Sequence, residues 1–403
     1  MSRLVSASRN GRTALAIVML LVLPTVLTVI PLIAESVPSS VQIQCSEVPF
    51  TAAQTDGDPP LLVDNESEMA NLGLPGNGSR NNPYIIEGFN ISADSPCIRI
   101  MDVSSYVVIQ NCFLRALAGT CLRLANVSNC RVEDCVFVGT EYAIYCEVSE
   151  GVQISRNIIY DAGYAVYVLD SQSCSISEST IYACSVGIAF QTARNCSSVE
   201  NRIYGNGGAG LDISAGSLNN TISANLIGWN SQVTQPWTNS IDRGNNNTWL
   251  GNFWSDYSPP GPYNVSGSAG AQDNDPRRLI DNDRPVLNHT DEVLMAEGAD
   301  TQIVWRTSDQ FPLSYRISLN GADQATGTWT QSEITYNLRY LSVGVHEVIL
   351  AVKDASGLEA FHTVTVRVLF IFLSDIGTEL VVLASIASVF SVVLVLLAVK
   401  KRL

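Results

Sequence analysis

The chain has 403 residues, 46% of them hydrophobic and only 15% charged, with a formal net charge of −15, ten cysteines and three histidines. So apolar and acidic a composition excludes a disordered charged tail and a basic nucleic-acid binder, and the length admits two or three domains. The charge is also partitioned: residues 1–34 and 380–403 hold six basic residues and no acid, which leaves 38 acids against 17 bases, or −21, between them.

Arg3, Arg9 and Arg12 precede an apolar stretch at 13–34 that is interrupted by Pro24 and Pro31. This is the pattern of an export signal, although the stretch is longer than the ~7–15 residues of a usual signal-peptide core. Ser39, with Val37 two residues before it, is the better cleavage position. Residues 1–39 are therefore a signal peptide or an uncleaved signal anchor, and either choice places residues 40–375 outside the cell.

Between residues 97 and 228 the sequence repeats with a period of 22 to 24. Four columns carry the repeat. They are Ile98, Leu122, Ile144, Val166, Ile188 and Leu211; then Ile100, Leu124, Cys146, Val168, Phe190 and Ile213; then Ile109, Val132, Ile154, Ile176, Ser198 and Ile222; then Leu114, Phe137, Ile159, Ile181, Ile203 and Ile227. Within each unit the apolar residues alternate over short segments, which is strand periodicity and not helix. Three short strands per unit, each stacked ~4.8 Å above its counterpart, predict a parallel β-helix filled by ladders of like side chains. A fifth column, Cys112, Cys135, Asn157, Ser179, Asn201 and Asn225, places small polar residues at one turn, where they can satisfy amides that no strand reaches.

These features resemble the right-handed β-helix repeat proteins of the NosD-like, carbohydrate-binding and sugar-hydrolase type. The resemblance covers about residues 60–285, opening with the segment 76–91 and closing with the aromatic segment 250–257. It implies an all-β fold and a cap at the end of the helix. It implies little about activity, because the fold hosts lyases, hydrolases and binding proteins alike. Trp249, Phe253, Trp254, Tyr257 and Tyr263 are expected to plug the last coil, with a sugar-stacking patch as the alternative.

Three cysteine pairs fall in neighbouring coils: Cys97 with Cys121, Cys112 with Cys135, and Cys174 with Cys196. Stacked strands bring such positions within disulfide range, and bonds could persist outside the cell; free thiols in small core or turn positions are the alternative. Nine glycosylation sequons occur, at Asn65, Asn77, Asn90, Asn126, Asn195, Asn219, Asn246, Asn264 and Asn288.

The three histidines all lie after residue 288, and the repeat region holds no lysine, which argues against His-based hydrolysis and soft-metal handling. Glu178 and Glu200 share a column in adjacent coils and are the candidate carboxylate pair for glycoside cleavage, against a plain polar face. Tyr160, Tyr182 and Tyr204 recur at 22 residues on a column that alternation turns outward, and Arg99, Arg123, Tyr145 and Tyr167 form another. Flat rings with guanidinium groups nearby can stack on sugar faces, so both columns are candidate ligand-binding residues. Asp273, Asp275, Asp281 and Asp283 offer hard oxygen ligands near the cap, which makes calcium the one candidate cofactor; they lack EF-hand spacing.

Residues 282–291 read as a polar linker, and the segments 301–307, 314–319, 333–338, 345–353 and 361–368 read as strands of a β-sandwich at 291–368. The run 341–357 resembles the late strands of immunoglobulin-like modules of the polycystic-kidney-disease type, which implies a spacer. Residues 380–399 are uncharged and long enough to cross a membrane as a helix, and Lys400, Lys401 and Arg402 place the tail, 400–403, in the cytoplasm. The expectation is a single-pass surface protein, or two-pass if the N-terminal segment stays. Its partners would be glycans or cell-envelope proteins, in a binding, structural or adhesive role, and not nucleic acid. The alternative is a membrane-tethered polysaccharide lyase or glycoside hydrolase.

Overall fold

The computed structural model describes residues 57–139, 141–231, 238–288, 291–330, 333–372 and 381–382. The expected signal at 1–39, residues 383–399 of the expected membrane helix, the tail and His289 lie outside them. No helix among the described residues is long and apolar enough to cross a membrane. Within the expected helix only Val381–Val382 is described, and it is extended and pairs antiparallel with Ile371–Phe372.

The repeat folds as a parallel β-helix with three faces of eight, ten and nine strands. The predicted columns are its registers. On the eight-stranded face, called face A below, Ile98 pairs with Leu122, Leu122 with Ile144, Ile144 with Val166, Val166 with Ile188 and Ile188 with Leu211. All six are fully buried. The ladder on the ten-stranded face runs Ile109, Val132, Ile154, Ile176, Ser198 and Ile222, with Ser198 as its one polar member. Ser198 stays inside because its hydroxyl donates to Asn225 Oδ1 at 3.2 Å.

The polar column is a hydrogen-bond ladder in which each backbone N–H donates to the side chain of the next coil. Cys112 N–H reaches Cys135 Sγ at 3.3 Å, Cys135 N–H reaches Asn157 Oδ1 at 2.9 Å, and the chain continues through Ser179, Asn201, Asn225 and Asn252. It ends on Asp273. That carboxylate is fully buried and accepts from Gly251 N–H, Asn252 N–H, Asn252 Nδ2 and the Trp254 indole at 2.9 to 3.1 Å. A shorter ladder of the same kind, Asn206, Asn230 and Asn239, serves Cys184 N–H at another turn.

The helix ends are closed differently. At the N-terminal end lies a feature absent from the sequence reading, a one-turn helix Glu66–Asn71 whose Met69 is fully buried in the β-helix core. Asn65 caps it, accepting from Glu68 N–H at 3.0 Å, while Glu68 Oε2 accepts from Asp64 N–H at 2.8 Å, a capping box. At the other end Trp249, Trp254 and Tyr263 fill the last coil, with Trp254 stacked on Tyr263 at 3.9 Å. Tyr257 packs on their edge at 6.5 Å from Tyr263. Phe253 is the exception: it points out of the coil and holds the Arg277 guanidinium at 5.3 Å.

The cysteine pairing is also corrected. Cys97, Cys121, Cys112, Cys135, Cys174 and Cys196 are buried thiols in this structure, as are Cys130, Cys146 and Cys184. Cys112 Sγ donates to Gln110 O and Cys135 Sγ to Glu133 O, each at 3.2 Å, while the thiols of Cys97 and Cys121, Cys112 and Cys135, and Cys174 and Cys196 remain in side-chain contact with each other. Burial pushes Cys130 and Cys184 up to about 12, so both are protonated at neutral pH.

After the cap, two sheets enclose a second core around Trp305, Ile303, Leu350 and Val364. One has three strands, Val286–Asn288, Thr301–Ser308 and Glu333–Leu338; the other has five, Glu292–Ala296, Pro312–Leu319, Ala322–Thr328, Gly344–Asp354 and Glu359–Leu369. Val286–Asn288 lies inside the segment read as linker, so the sandwich begins earlier than expected. Ala322–Thr328 is mostly exposed and has no apolar alternation, which hides it from a periodicity argument.

Candidate functional site

The two aromatic columns have opposite fates. Tyr160, Tyr182 and Tyr204 do stack outside the coil, with centroids 5.5 and 5.3 Å apart. But Tyr182 and Tyr204 are each only 1% exposed, because the sandwich covers them. Phe311 packs edge-on against Tyr204 at 5.2 Å and Trp229 at 4.9 Å, and the Arg202 guanidinium lies 4.7 Å from the same ring. Tyr182 Oη donates to Trp329 O at 3.4 Å, and Leu279 and Ala355 complete the cluster. Gly205 has φ +60°, and a Cβ there would meet Leu313 Cδ1 at 2.7 Å, so the turn needs glycine for conformation and for room. The expectation that this column is open to a ligand is therefore corrected. A row of large rings is apolar area, and a neighbouring domain of the same chain has buried it.

The second column stays open. On face A, Arg99, Arg123, Tyr145, Tyr167, Ala189 and Asp212 are in register. Beside it run Thr120, Tyr142 and Tyr164, which the sequence reading missed. Strict alternation puts Tyr142 and Tyr145 on opposite sides of a strand. In Tyr142–Glu147 and Tyr164–Leu169, however, two consecutive small or β-branched residues, Ala143-Ile144 and Ala165-Val166, are both buried, and this shifts the phase so that both tyrosines face out. Four half-buried tyrosines result. Tyr142 stacks on Tyr164 at 5.4 Å and Tyr145 on Tyr167 at 5.5 Å, with edge contacts of 5.0 to 5.2 Å between the pairs.

Charged groups flank the quartet. Arg123 Nε donates to Glu147 Oε1 at 3.0 Å, Tyr145 Oη donates to Glu147 Oε2 at 3.2 Å, and Arg123 lies 5.8 Å from the Tyr145 ring. Burial, with Glu147 adding to it, pushes the Tyr145 phenol up to about 12. A depression of about 220 Å³ is lined by Thr120, Arg123, Tyr142 and Tyr145. On the far side, Asp212 pairs with Arg243 and adds to the raised pKa of the Tyr167 phenol, whose first cause is burial. Burial raises the Asp212 carboxyl above its ordinary range, and Arg243 draws it part of the way back. Ala189, fully buried between Tyr167 and Asp212, leaves no large side chain there. Arg99 takes no part, being held by Asp64 through two bonds of 2.8 Å. At the turn that follows these strands lies a wider polar depression of about 420 Å³, with Asp102, Asn126, Glu150, Asp170 and Gln172 in its lining.

Glu178 and Glu200 are exposed and occupy left-handed turn positions, φ +50° and +56°, in the same turn column as Asn111, Asp134, Arg156 and Gly251. Neither lines either depression. Of the sequon asparagines, Asn90 is half-buried and the other eight are exposed. Asn126, Asn195, Asn219 and Asn246 have φ of 50° to 59°, a conformation that favours asparagine whether or not a glycan is attached. Among the acidic residues near the cap, Asp273 is the terminal acceptor of the asparagine ladder and has no lone pair to spare for calcium. Asp275 is exposed and 3.8 Å from Arg277, and Asp283 is exposed.

The family model described as right handed beta helix region matches residues 86–254. No curated protein sequence matches the chain. Among solved structures, alginate lyase from Paenibacillus sp. str. FPU-7 is 16% identical with a TM-score of 0.39, over 55% of this chain and 98% of that one. DFA-IIIase from Arthrobacter chlorophenolicus A6 without its lid is 13% identical with a TM-score of 0.25, over 56% and 60% of the two chains. At these TM-scores neither likeness carries an argument about this chain. The chain is a right-handed parallel β-helix through this region.

Proposed function

We propose that the outer surface of face A binds an extended, neutral polysaccharide. One observation carries the reading: the tyrosine quartet is half-buried with no domain covering it, in register, and bordered by Arg123–Glu147 on one side and Asp212–Arg243 on the other. Tyrosine rings offer flat apolar area to sugar faces, and the flanking charges offer hydrogen bonds to hydroxyls. From Arg123 to Asp212 the column rises through four strand spacings, about 19 Å at ~4.8 Å each, which is enough for several rings. Both guanidinium groups are already paired with carboxylates, and the region between the chain's two basic ends carries −21, so a polyanionic chain is disfavoured.

A second reading, cleavage of that polysaccharide, rests on Asp212. A carboxyl raised by burial beside the binding rings is the kind of group that can act as a general acid. On either reading the head is of the NosD-like type, the sandwich an immunoglobulin-like spacer, and residues 380–399, joined by residues 1–39 where these stay uncleaved, hold the protein at a membrane with the head outside the cell.

The test is a neutral-glycan array with the full-length protein, followed by product analysis on the best ligand. Binding that falls at least tenfold in Tyr145→Ala/Tyr167→Ala and is unchanged in Tyr340→Ala supports the proposal; equal binding by all three rejects it. Shortened or unsaturated products that vanish in Asp212→Asn establish the second reading.

A further inference from the structure

We infer that Asp281, Asp309 and Asp354 form a calcium site where the end of the β-helix meets the sandwich. The three residues come from separate segments: the stretch after the last β-helix strand, the loop before Phe311, and the end of strand Gly344–Asp354. One carboxylate oxygen from each lies within 4.8 Å of the others. Such convergence of like charges is unfavourable without a cation between them.

A second observation is independent of the clustering. Asp354 is fully buried, and its two oxygens are treated differently. Oδ1 accepts from Ser356 Oγ at 2.8 Å and Leu358 N–H at 2.9 Å, which holds the carboxylate rigidly. Oδ2 is buried and has no hydrogen-bond partner, and the same is true of Asp281 Oδ2. A buried carboxylate oxygen left without a donor costs several kcal/mol unless a cation or proton meets it. Asp281 Oδ1 accepts from Asp283 N–H at 3.2 Å and Asp309 Oδ1 from Phe311 N–H at 2.6 Å, so each carboxylate is oriented through one oxygen.

The donor set is hard oxygen only, with no histidine or thiol in the group. That disfavours the borderline and soft metals and leaves calcium, magnesium or manganese, of which calcium least needs a regular octahedron. Three carboxylates from three separate segments, one of them irregular, suit the variable geometry of calcium better than the strict octahedron of magnesium. Position gives the ion a role. Phe311, two residues after Asp309, and Ala355, next to Asp354, belong to the cluster that covers Tyr182 and Tyr204. A bound ion would tie the segment leaving the β-helix to the surface on which the β-helix docks.

Calorimetric titration of calcium into chelator-treated full-length protein tests the inference. The expected result is one calcium per chain, magnesium at least tenfold weaker, a tenfold or greater loss of affinity in Asp281→Asn and in Asp354→Asn, and no change in Asp275→Asn. Asp354 also anchors a turn, so Asp281→Asn is the variant whose fold is least at risk and decides the matter if Asp354→Asn misfolds. An absence of calcium binding by the wild type, or unchanged affinity in Asp281→Asn, overturns it.

Discussion

Replacing Phe311 by alanine examines the docking of the two domains directly. The ring is fully buried, touches Tyr204, Trp229 and Arg202, and comes from the sandwich, while all three partners belong to the β-helix. Truncating a buried phenylalanine costs about 3–5 kcal/mol, and the loss here falls on docking and not on either core, because Phe311 belongs to neither. At about 3 kcal/mol the docked population falls roughly 150-fold relative to the undocked one. The undocked state exposes Tyr182 and Tyr204. Hydrogen exchange of the full-length protein is the assay. Faster exchange is expected at 202–205 and 309–313 with unchanged protection of the ladder residues Ile154, Ile176 and Val166. Equal protection of 202–205 in wild type and Phe311→Ala would refute the docking, as would uniform loss across the β-helix.

Further outcomes follow from the same geometry. Asn225→Ala leaves Asn201 N–H without its acceptor inside the core and removes three donated bonds, so a loss of about 2–4 kcal/mol is expected in denaturant unfolding; a change under 0.5 kcal/mol would remove the ladder from the list of stabilising features. Asp212 has a folded-state carboxyl raised above its unfolded value, so the folded chain binds that proton more tightly and the Asp212 contribution favours folding increasingly as pH falls through the raised value. Asp212→Asn should flatten this part of the stability curve between neutral and mildly acid pH, and an unaltered curve contradicts the assignment. The nine described cysteines are expected to resist alkylation in the native protein and to react fully after unfolding without reductant; three pairs that stay unreactive would restore the disulfides.

Much of the β-helix was legible because its registers are written as columns. Ile98 to Leu211 and Asn157 to Asn225 recur at nearly constant spacing, and a stacked coil permits only like-on-like contact, so sequence period translates directly into pairing. What escaped notice depends on context beyond the period. The buried pairs Ala143-Ile144 and Ala165-Val166 shift the strand phase, so a simple alternation does not bring out Tyr142 and Tyr164 beside the column. The cover over Tyr182 and Tyr204 comes from Phe311 and Trp329, more than a hundred residues away, and no local pattern reports such a contact. A signal was present in Gly205, a glycine in a turn column held by Asp161, Ala183 and Trp229 in neighbouring coils, whose missing Cβ admits Leu313. The acidic motifs misled for a similar reason. Asp273 reads as a ligand beside Asp275, but its position at the end of the asparagine ladder commits it to five donors, the Asp275 N–H among them.

The central claim is that the open tyrosine quartet, and not the covered column, meets the ligand. Hydroxyl-radical footprinting of the full-length protein, with and without its best neutral glycan, reads this out residue by residue. The account predicts protection of Tyr142, Tyr145, Tyr164 and Tyr167 on binding, with Tyr182 and Tyr204 unreactive in both states and Tyr340 unchanged. Protection confined to any other face, or release of Tyr182 and Tyr204 for contact with the glycan, would contradict it.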